Sequence, residues 1–328
     1  MRFREDHGCI FALTVKAHET MLQGSSVSTA SNSTYRITDI PGKGLGLIAT
    51  RQLKRGQRIL TDTPLIRTHM TDKSTVSIAQ FNSLSISDQD QVLSLTNIWK
   101  QDHPVVGIIW TNSIPFTNDG NEAGLFPLAS RINHSCMPNT VHSWEEERGE
   151  LRTHVIRDIQ DGEEITSYYP SSVAEYALRQ EHFQIVHEFR CACALCLLPF
   201  AEREASDNRI RRIIALEKDL YRTWKHRRHC KPNGAHLKLV GTLLDLYGEE
   251  GIVDWRPLHA LSRGSNLATE MHSYRHATIL AEKAYKMLIE LSGHDHSQTK
   301  QMGGRVIRMK QRLEELEAMA LGKVDRQK

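Results

Sequence analysis

Cysteine is scarce, six in 328 residues, far too few for a secreted disulfide scaffold. Long apolar runs are absent too: nothing approaches the roughly 20 residues of a membrane-spanning helix. The run from Cys9 to Val15 is broken by Thr14 and followed by Lys16, His18 and Glu19, too short and poorly flanked for a secretory leader. Charge of one sign is lacking, since 42 basic against 39 acidic residues leave +3. Any basic surface must therefore be local. With 39% hydrophobic and 25% charged residues and a mean hydropathy of −0.44, the composition also excludes a mostly disordered chain, collagen and coiled-coil arrays. At roughly 100–200 residues per domain the length suits two or three domains, and a reducing compartment, cytoplasm or nucleus, is expected.

What is present changes texture along the chain. Residues 1–34 have no clear periodicity, and Gly24 to Thr34 is mostly Ser, Thr, Asn and Ala, the composition of a mobile leader. Tyr35-Arg36-Ile37 and Leu47-Ile48-Ala49-Thr50 read as strands around a Pro41–Gly46 turn. Residues 74–101 read as helical, with a start at Ser87-Asp88. Val105–Trp110 is apolar, and its length does not decide between strand and helix. Thr140–Trp144 and Leu151–Ile156 give a hairpin signal around the charged Glu145–Glu150 turn. After Cys196 the apolar spacing becomes helical, through Ile210, Ile213, Leu220 and Trp224, then Leu237–Leu246, Leu280–Leu291 and Val306–Leu316. A domain boundary is expected near 197–205.

Three segments carry chemistry. Gly42-x-Gly44-x-Gly46 lets the backbone approach a ligand, but the β-like Leu47–Thr50 that follows does not suit a dinucleotide fold, and no Gly-Lys-Ser/Thr supports a phosphate loop. Arg131–Asn139 (RINHSCMPN) is a polar, non-helical loop shaped by proline and two asparagines. Cys191-x-Cys193-x-x-Cys196 offers three soft ligands where zinc takes four. Cys136 is the attractive fourth, because Cys9 and Cys230 lie in the leader and in the basic helical stretch. That stretch, Arg203 to Lys231, reads as a solvated helix face rather than a nucleic-acid surface.

Together these segments resemble the SET-domain protein lysine methyltransferases. The resemblance rests on Gly42–Gly46, on Arg131–Asn139 and on Gly162-Glu163-Glu164-Ile165-Thr166-Ser167-Tyr168-Tyr169, in that order, followed by cysteines with post-SET spacing. The nearest pattern is the SET/MYND type and the fungal SET-domain proteins like it. The MYND finger is missing, since no cysteine lies between Cys9 and Cys136, and whatever that finger binds elsewhere is not carried over.

The resemblance implies an α+β fold: a β-rich SET domain over 35–190 with a helical insertion at 61–125, a zinc-bound post-SET segment over 191–205 and a TPR-like helical domain over 206–328. It implies S-adenosylmethionine held by Lys43, Gly44 and Leu45 with Asn133 and His134. Asn112 would lie near the cofactor's amino-acid moiety, and Phe189 would cover the adenine. One structural zinc would sit on Cys136, Cys191, Cys193 and Cys196. Phe126 would line the channel for the substrate lysine, and a tyrosine would orient its amine. A gapless count makes this Tyr169; Pro170, which follows, leaves Tyr168 as the alternative. The implied partner is a protein substrate of a monomeric, membrane-free enzyme, with the helical domain as a further protein surface. The competing class is a catalytically weak SET-fold scaffold acting through that helical domain in protein–protein interaction.

Overall fold

The structure, a computed structural model, describes residues 34–69, 75–99, 103–116, 121–169, 174–226 and 231–324. The expected leader, Cys9, Pro170 and Cys230 lie outside these residues.

Pro41 and the positive φ of Gly42 (76°) and Gly44 (72°) turn strand β1 (Tyr35–Ile40) into β2 (Gly44–Ala49). The register pairs Ile40 with Gly44 and Tyr35 with Ala49. Strand β2 also pairs with β10 (Glu164–Ser167), which runs parallel to the two-residue β7 (Asn133–His134). A four-stranded sheet β1-β2-β10-β7 thus brings the glycine turn, the signature loop and the approach to the tyrosines side by side, although they are distant in sequence. The charged hairpin read from sequence is β8 (Thr140–Glu145) and β9 (Glu150–Val155), joined by β3 (Arg58–Asp62) in a second sheet. Between the sheets Leu47, Leu53, Phe126, Ile132, Leu151, Val155 and Ile165 form one buried cluster.

The segment expected to be a helical insertion is mixed. Thr61 and Asp62 still belong to β3. Helices α1 (Thr75–Ser83), α2 (Ile86–Leu93) and α3 (Pro104–Asn112) pack beside a third small sheet of β4 (Ile66–His69), β6 (Glu122–Leu125) and β5 (Ile114–Pro115). Ile66 and Leu125 share a core with Val92, Val105, Ile108 and Ile109, so the short strands are held by burial rather than by strand length. Helix α2 begins at Ile86, one residue before the expected Ser87: Ser85 is its cap, its hydroxyl accepting from the Asp88 amide at 3.2 Å. The undecided Val105–Trp110 is helical, with Pro104 in the first turn.

Helix α4 (Tyr176–Val186) leads to the cysteines, and α5 (Phe200–His226) starts directly after Pro199. The helical region therefore begins six residues before the expected 206, because proline suits the entry to a helix. Helices α6 (Gly234–Glu250), α7 (Trp255–Glu270), α8 (Tyr274–Ser292) and α9 (Ser297–Val324) follow, each packed on its predecessor. Arg211, Arg212, Lys218, Arg222 and Lys225 are exposed along α5, while Ile210, Ile213 and Leu220 are buried.

The helices dock on the second sheet through Val141 and Ile156 against Leu258, Leu261, Ala284, Leu288 and Leu291. Arg55–Glu290 (2.6 Å) and Arg58–Asp295 (3.1 Å) fringe this contact. Partly exposed ion pairs contribute about 0–1 kcal/mol each, and a fully buried leucine about 1.5–3 kcal/mol. The leucines hold the two parts together, and the ion pairs favour one register.

Candidate active site

The adjacent glutamates of β10 and the turn before it point to different partners, as strand alternation requires. Glu163 accepts from Asn139 Nδ2 at 3.2 Å and from the Gln160 amide at 2.9 Å, tying the end of the signature loop to the turn. Glu164 accepts from Lys43 Nζ at 2.6 Å and from Asn133 Nδ2 at 3.0 Å. Asn133 Nδ2 also lies 3.5 Å from the Leu45 carbonyl. The junction leaves no space for a side chain at Gly46, where a Cβ would stand 2.6 Å from Asn133 Nδ2 and 2.7 Å from Ile40 Cγ1. Positions 42 and 44 face open space instead, with nothing within 4 Å of an added Cβ. The glycines thus separate into two that expose backbone and one that admits the signature asparagine.

His134 is buried behind this edge. The Tyr169 amide donates to its Nδ1 at 3.1 Å, and its Nε2 lies 3.4 Å from Cys136 Sγ. Phe183 (4.3 Å between ring centres), Tyr169 (5.3 Å) and Phe189 (6.3 Å) surround the imidazole. Phe189 stacks on Phe183 with an interplanar angle of 16°. The Tyr169 hydroxyl reaches towards the Ile132 carbonyl at 3.5 Å. Burial, and secondarily the charge of Glu164, push its phenol up to about 12, so it stays protonated at neutral pH and serves as a hydrogen-bonding group rather than a base.

The four cysteines among the described residues, Cys136, Cys191, Cys193 and Cys196, are free thiols whose sulfurs all lie within 4.8 Å of one another. Cys136 Sγ is 3.8 Å from Cys191 Sγ and 3.6 Å from Cys196 Sγ. A tetrahedral zinc with bonds of about 2.3 Å sets its sulfurs about 3.8 Å apart, so the arrangement fits that ion. Gln180 of α4 fixes the chain here, donating to the Cys191 carbonyl at 2.9 Å and accepting from its amide at 3.1 Å. The buried Arg179 guanidinium faces the cluster; burial alone would lower its pKa, and its interactions with the Cys136 and Cys196 sulfurs raise it. A cation beside the sulfurs suits thiolates, the form that binds zinc.

Asn112, Phe126 and Tyr168 are held by other contacts. Asn112 ends α3, where its side-chain amide donates to the Thr96 and Ile108 carbonyls, both at 2.7 Å, and its own carbonyl accepts from Ser130 Oγ at 3.0 Å. It is thereby tied to Ser130, the residue before the signature loop. Phe126 is fully buried among the sheets, edge-on to Phe116 and Trp144 (both 6.2 Å), in a different cluster from Tyr169. The two clusters meet at Ile132, a core neighbour of Phe126 whose carbonyl faces the Tyr169 hydroxyl. Tyr168 turns towards the helices, its ring 5.9 Å from the Arg256 guanidinium. Glu164, Phe183, Gln180 and Arg179 had no role in the sequence reading. Glu164 lies inside a motif already noticed, where strand alternation could have singled it out; α4 carried no clear apolar periodicity.

Residues 44–170 match the SET domain family. Over 267 residues, 80% of this chain and 80% of the other, the sequence is 30% identical to Histone-lysine N-methyltransferase set5 of Schizosaccharomyces pombe. It is 26% identical over 141 residues to N-lysine methyltransferase SMYD2 of Gallus gallus, covering 38% of this chain and 31% of that one. Against Protein-lysine N-trimethyltransferase SMYD5 of Homo sapiens it is 37% identical over 78 residues, 23% of this chain and 19% of the relative. With the motif order and the strand arrangement already described, the chain belongs to the SET-domain family of protein-lysine methyltransferases.

Proposed function

We propose that the protein transfers a methyl group from S-adenosylmethionine to the ε-amine of a lysine in a protein substrate. The observation that carries this reading is the convergence of the Lys43–Leu45 turn, Asn133, His134 and Tyr169 around one edge of the β2-β10-β7 sheet. The open glycine positions, the Leu45 carbonyl and the Asn133 amide suit a small polar ligand, and Lys43 suits its carboxylate. Phe189 stands on the aromatic side of the same edge as a cover for the adenine.

S-adenosylmethionine, when bound, supplies a methyl group activated on a sulfonium. The protein must then hold the lysine amine in line and uncharged. Free lysine has a pKa of about 10.4, and an apolar channel disfavours its ammonium form. The Tyr169 hydroxyl orients the amine, and its position near the Ile132 carbonyl supports assigning this role to Tyr169 over Tyr168, which faces Arg256. Phe126 shapes the inner wall of the lysine channel beyond Ile132.

Cys136, Cys191, Cys193 and Cys196 hold one structural zinc in this reading, making residues 191–196 a post-SET segment. The successive packing of α5 to α9 supports a TPR-like partner surface. A monomer acting in cytoplasm or nucleus completes the proposal. The test is transfer of labelled methyl from S-adenosylmethionine into proteins of a cell extract by the purified full chain, with the labelled residue identified by mass spectrometry. Label on lysine is the expected result, and absence of label on any protein from a folded, zinc-loaded preparation overturns the reading.

A further inference from the structure

We propose that Glu164 is the positioning residue of the cofactor cradle, its one carboxylate aligning both Lys43 and Asn133. This rests on the S-adenosylmethionine reading above and adds a residue that touches the cradle only through others.

Lys43 sits on a turn with its side chain 36% exposed, on a flexible stem whose ordering opposes ligand binding. Asn133 belongs to a strand of two residues, too short to hold a carboxamide orientation by itself. Glu164 has what both need. Its backbone is fixed on β10, opposite Ile48 of β2 and two residues before Thr166 pairs with Asn133 of β7. Its side chain is only 19% exposed, and its two oxygens are divided, Oε2 to Lys43 at 2.6 Å and Oε1 to Asn133 at 3.0 Å. An acceptor on Oε1 also decides which way the Asn133 amide is turned, with Nδ2 inward and the carbonyl oxygen free for another donor. The tight Gly46 position presses Asn133 against this carboxylate, so the three groups form one packed unit.

Removing the charge while keeping the shape isolates the role. In Glu164→Gln, calorimetry with S-adenosylmethionine is expected to show affinity weakened about 3- to 10-fold, because ordering Lys43 then falls to the binding step. Methyl transfer at saturating cofactor should stay within about two-fold of wild type, a split between KM and kcat that general unfolding would not give. Glu164→Asp, which keeps the charge on a shorter arm, should be intermediate. In a Lys43→Met background the Glu164→Gln change should cost less than in the wild-type background, because only Asn133 remains as a partner and glutamine keeps an oxygen that can accept from its amide. Circular dichroism and zinc content identify any variant that fails to fold, and the Lys43→Met comparison can be repeated with Glu164→Asp. Unchanged or tighter binding by folded Glu164→Gln, or full additivity with Lys43→Met, overturns the proposal. A wild-type chain that does not bind S-adenosylmethionine overturns the cofactor reading itself.

Discussion

The Tyr169 amide donates to His134 Nδ1 at 3.1 Å, so this nitrogen is the acceptor and the ring proton of neutral His134 belongs on Nε2, the atom 3.4 Å from Cys136 Sγ. One imidazole therefore spans the proposed catalytic tyrosine and the proposed zinc centre, with a donor aimed at a metal-ligand sulfur. Hydrogen bonds of this kind commonly tune metal affinity by 10- to 100-fold. His134→Ala should weaken zinc by about that factor in a chelator competition and should also lower methyl transfer. Wild-type zinc affinity in the variant would separate the two sites.

Zinc should be tied to cofactor binding more closely than to the helices. Cys136 follows Asn133 by three residues, and Phe189 precedes Cys191 by two, so a metal on the four sulfurs would anchor both the proposed cradle residue and its proposed aromatic cover. Metal analysis should find about one zinc per chain. Cys191→Ser should lose the metal and S-adenosylmethionine affinity with little change in helical circular dichroism, because α5 to α9 have their own buried cores. A metal-free wild-type preparation that binds cofactor normally would contradict this coupling.

Much of this arrangement was legible in the sequence, for reasons that differ by element. The β1–β2 and β8–β9 hairpins are local, so turn residues and strand-forming runs revealed them. Three members of the cysteine cluster were legible from their spacing, and Cys136 because the other two cysteines lay in unsuitable segments. The third small sheet was not: β4 pairs with β6 more than fifty residues later, and strands of two to four residues carry no usable periodicity. Helix α7 escaped notice because its buried positions include Pro257, Gly264 and Ser265, residues without an apolar signature. Glu164 was visible as a letter in a motif but not as a function, since its partners Lys43 and Asn133 lie 121 and 31 residues away.

The two tyrosines provide a direct test of the motif register. Tyr169→Phe removes only the hydroxyl facing Ile132 and should lower methyl transfer by about 10²- to 10⁴-fold, with cofactor affinity within a few-fold. Tyr168→Phe alters a ring beside Arg256 and should have a much smaller effect. A reversed order in single-turnover assays would move the catalytic assignment to Tyr168.

Acid should loosen the docking of the helices before it protonates most carboxylates. His154 is buried on β9, and burial, then the charges of Arg58 and Arg152, lower its pKa to about 4. It also packs at the turn between α8 and α9, where a Cβ added to Gly293 would lie 3.2 Å from its Nε2. In the unfolded chain its pKa returns to about 6.5. Between these values the unfolded state binds the additional proton, so stability is undiminished above about pH 6.5, falls as pH is lowered towards 4, and levels off below the folded pKa. A shift of this size corresponds to about 3 kcal/mol over the whole window. His142 and His187, also lowered to about 4 by burial, act in the same direction. Denaturant unfolding measured from pH 7 to 4.5 should therefore lose stability in wild type, and His154→Gln should reduce the slope by up to about 1.4 kcal/mol per pH unit, one proton's contribution. The comparison uses slopes because the substitution also changes packing at neutral pH. Parallel slopes for the two proteins would show that His154 does not gain its proton on unfolding in this range.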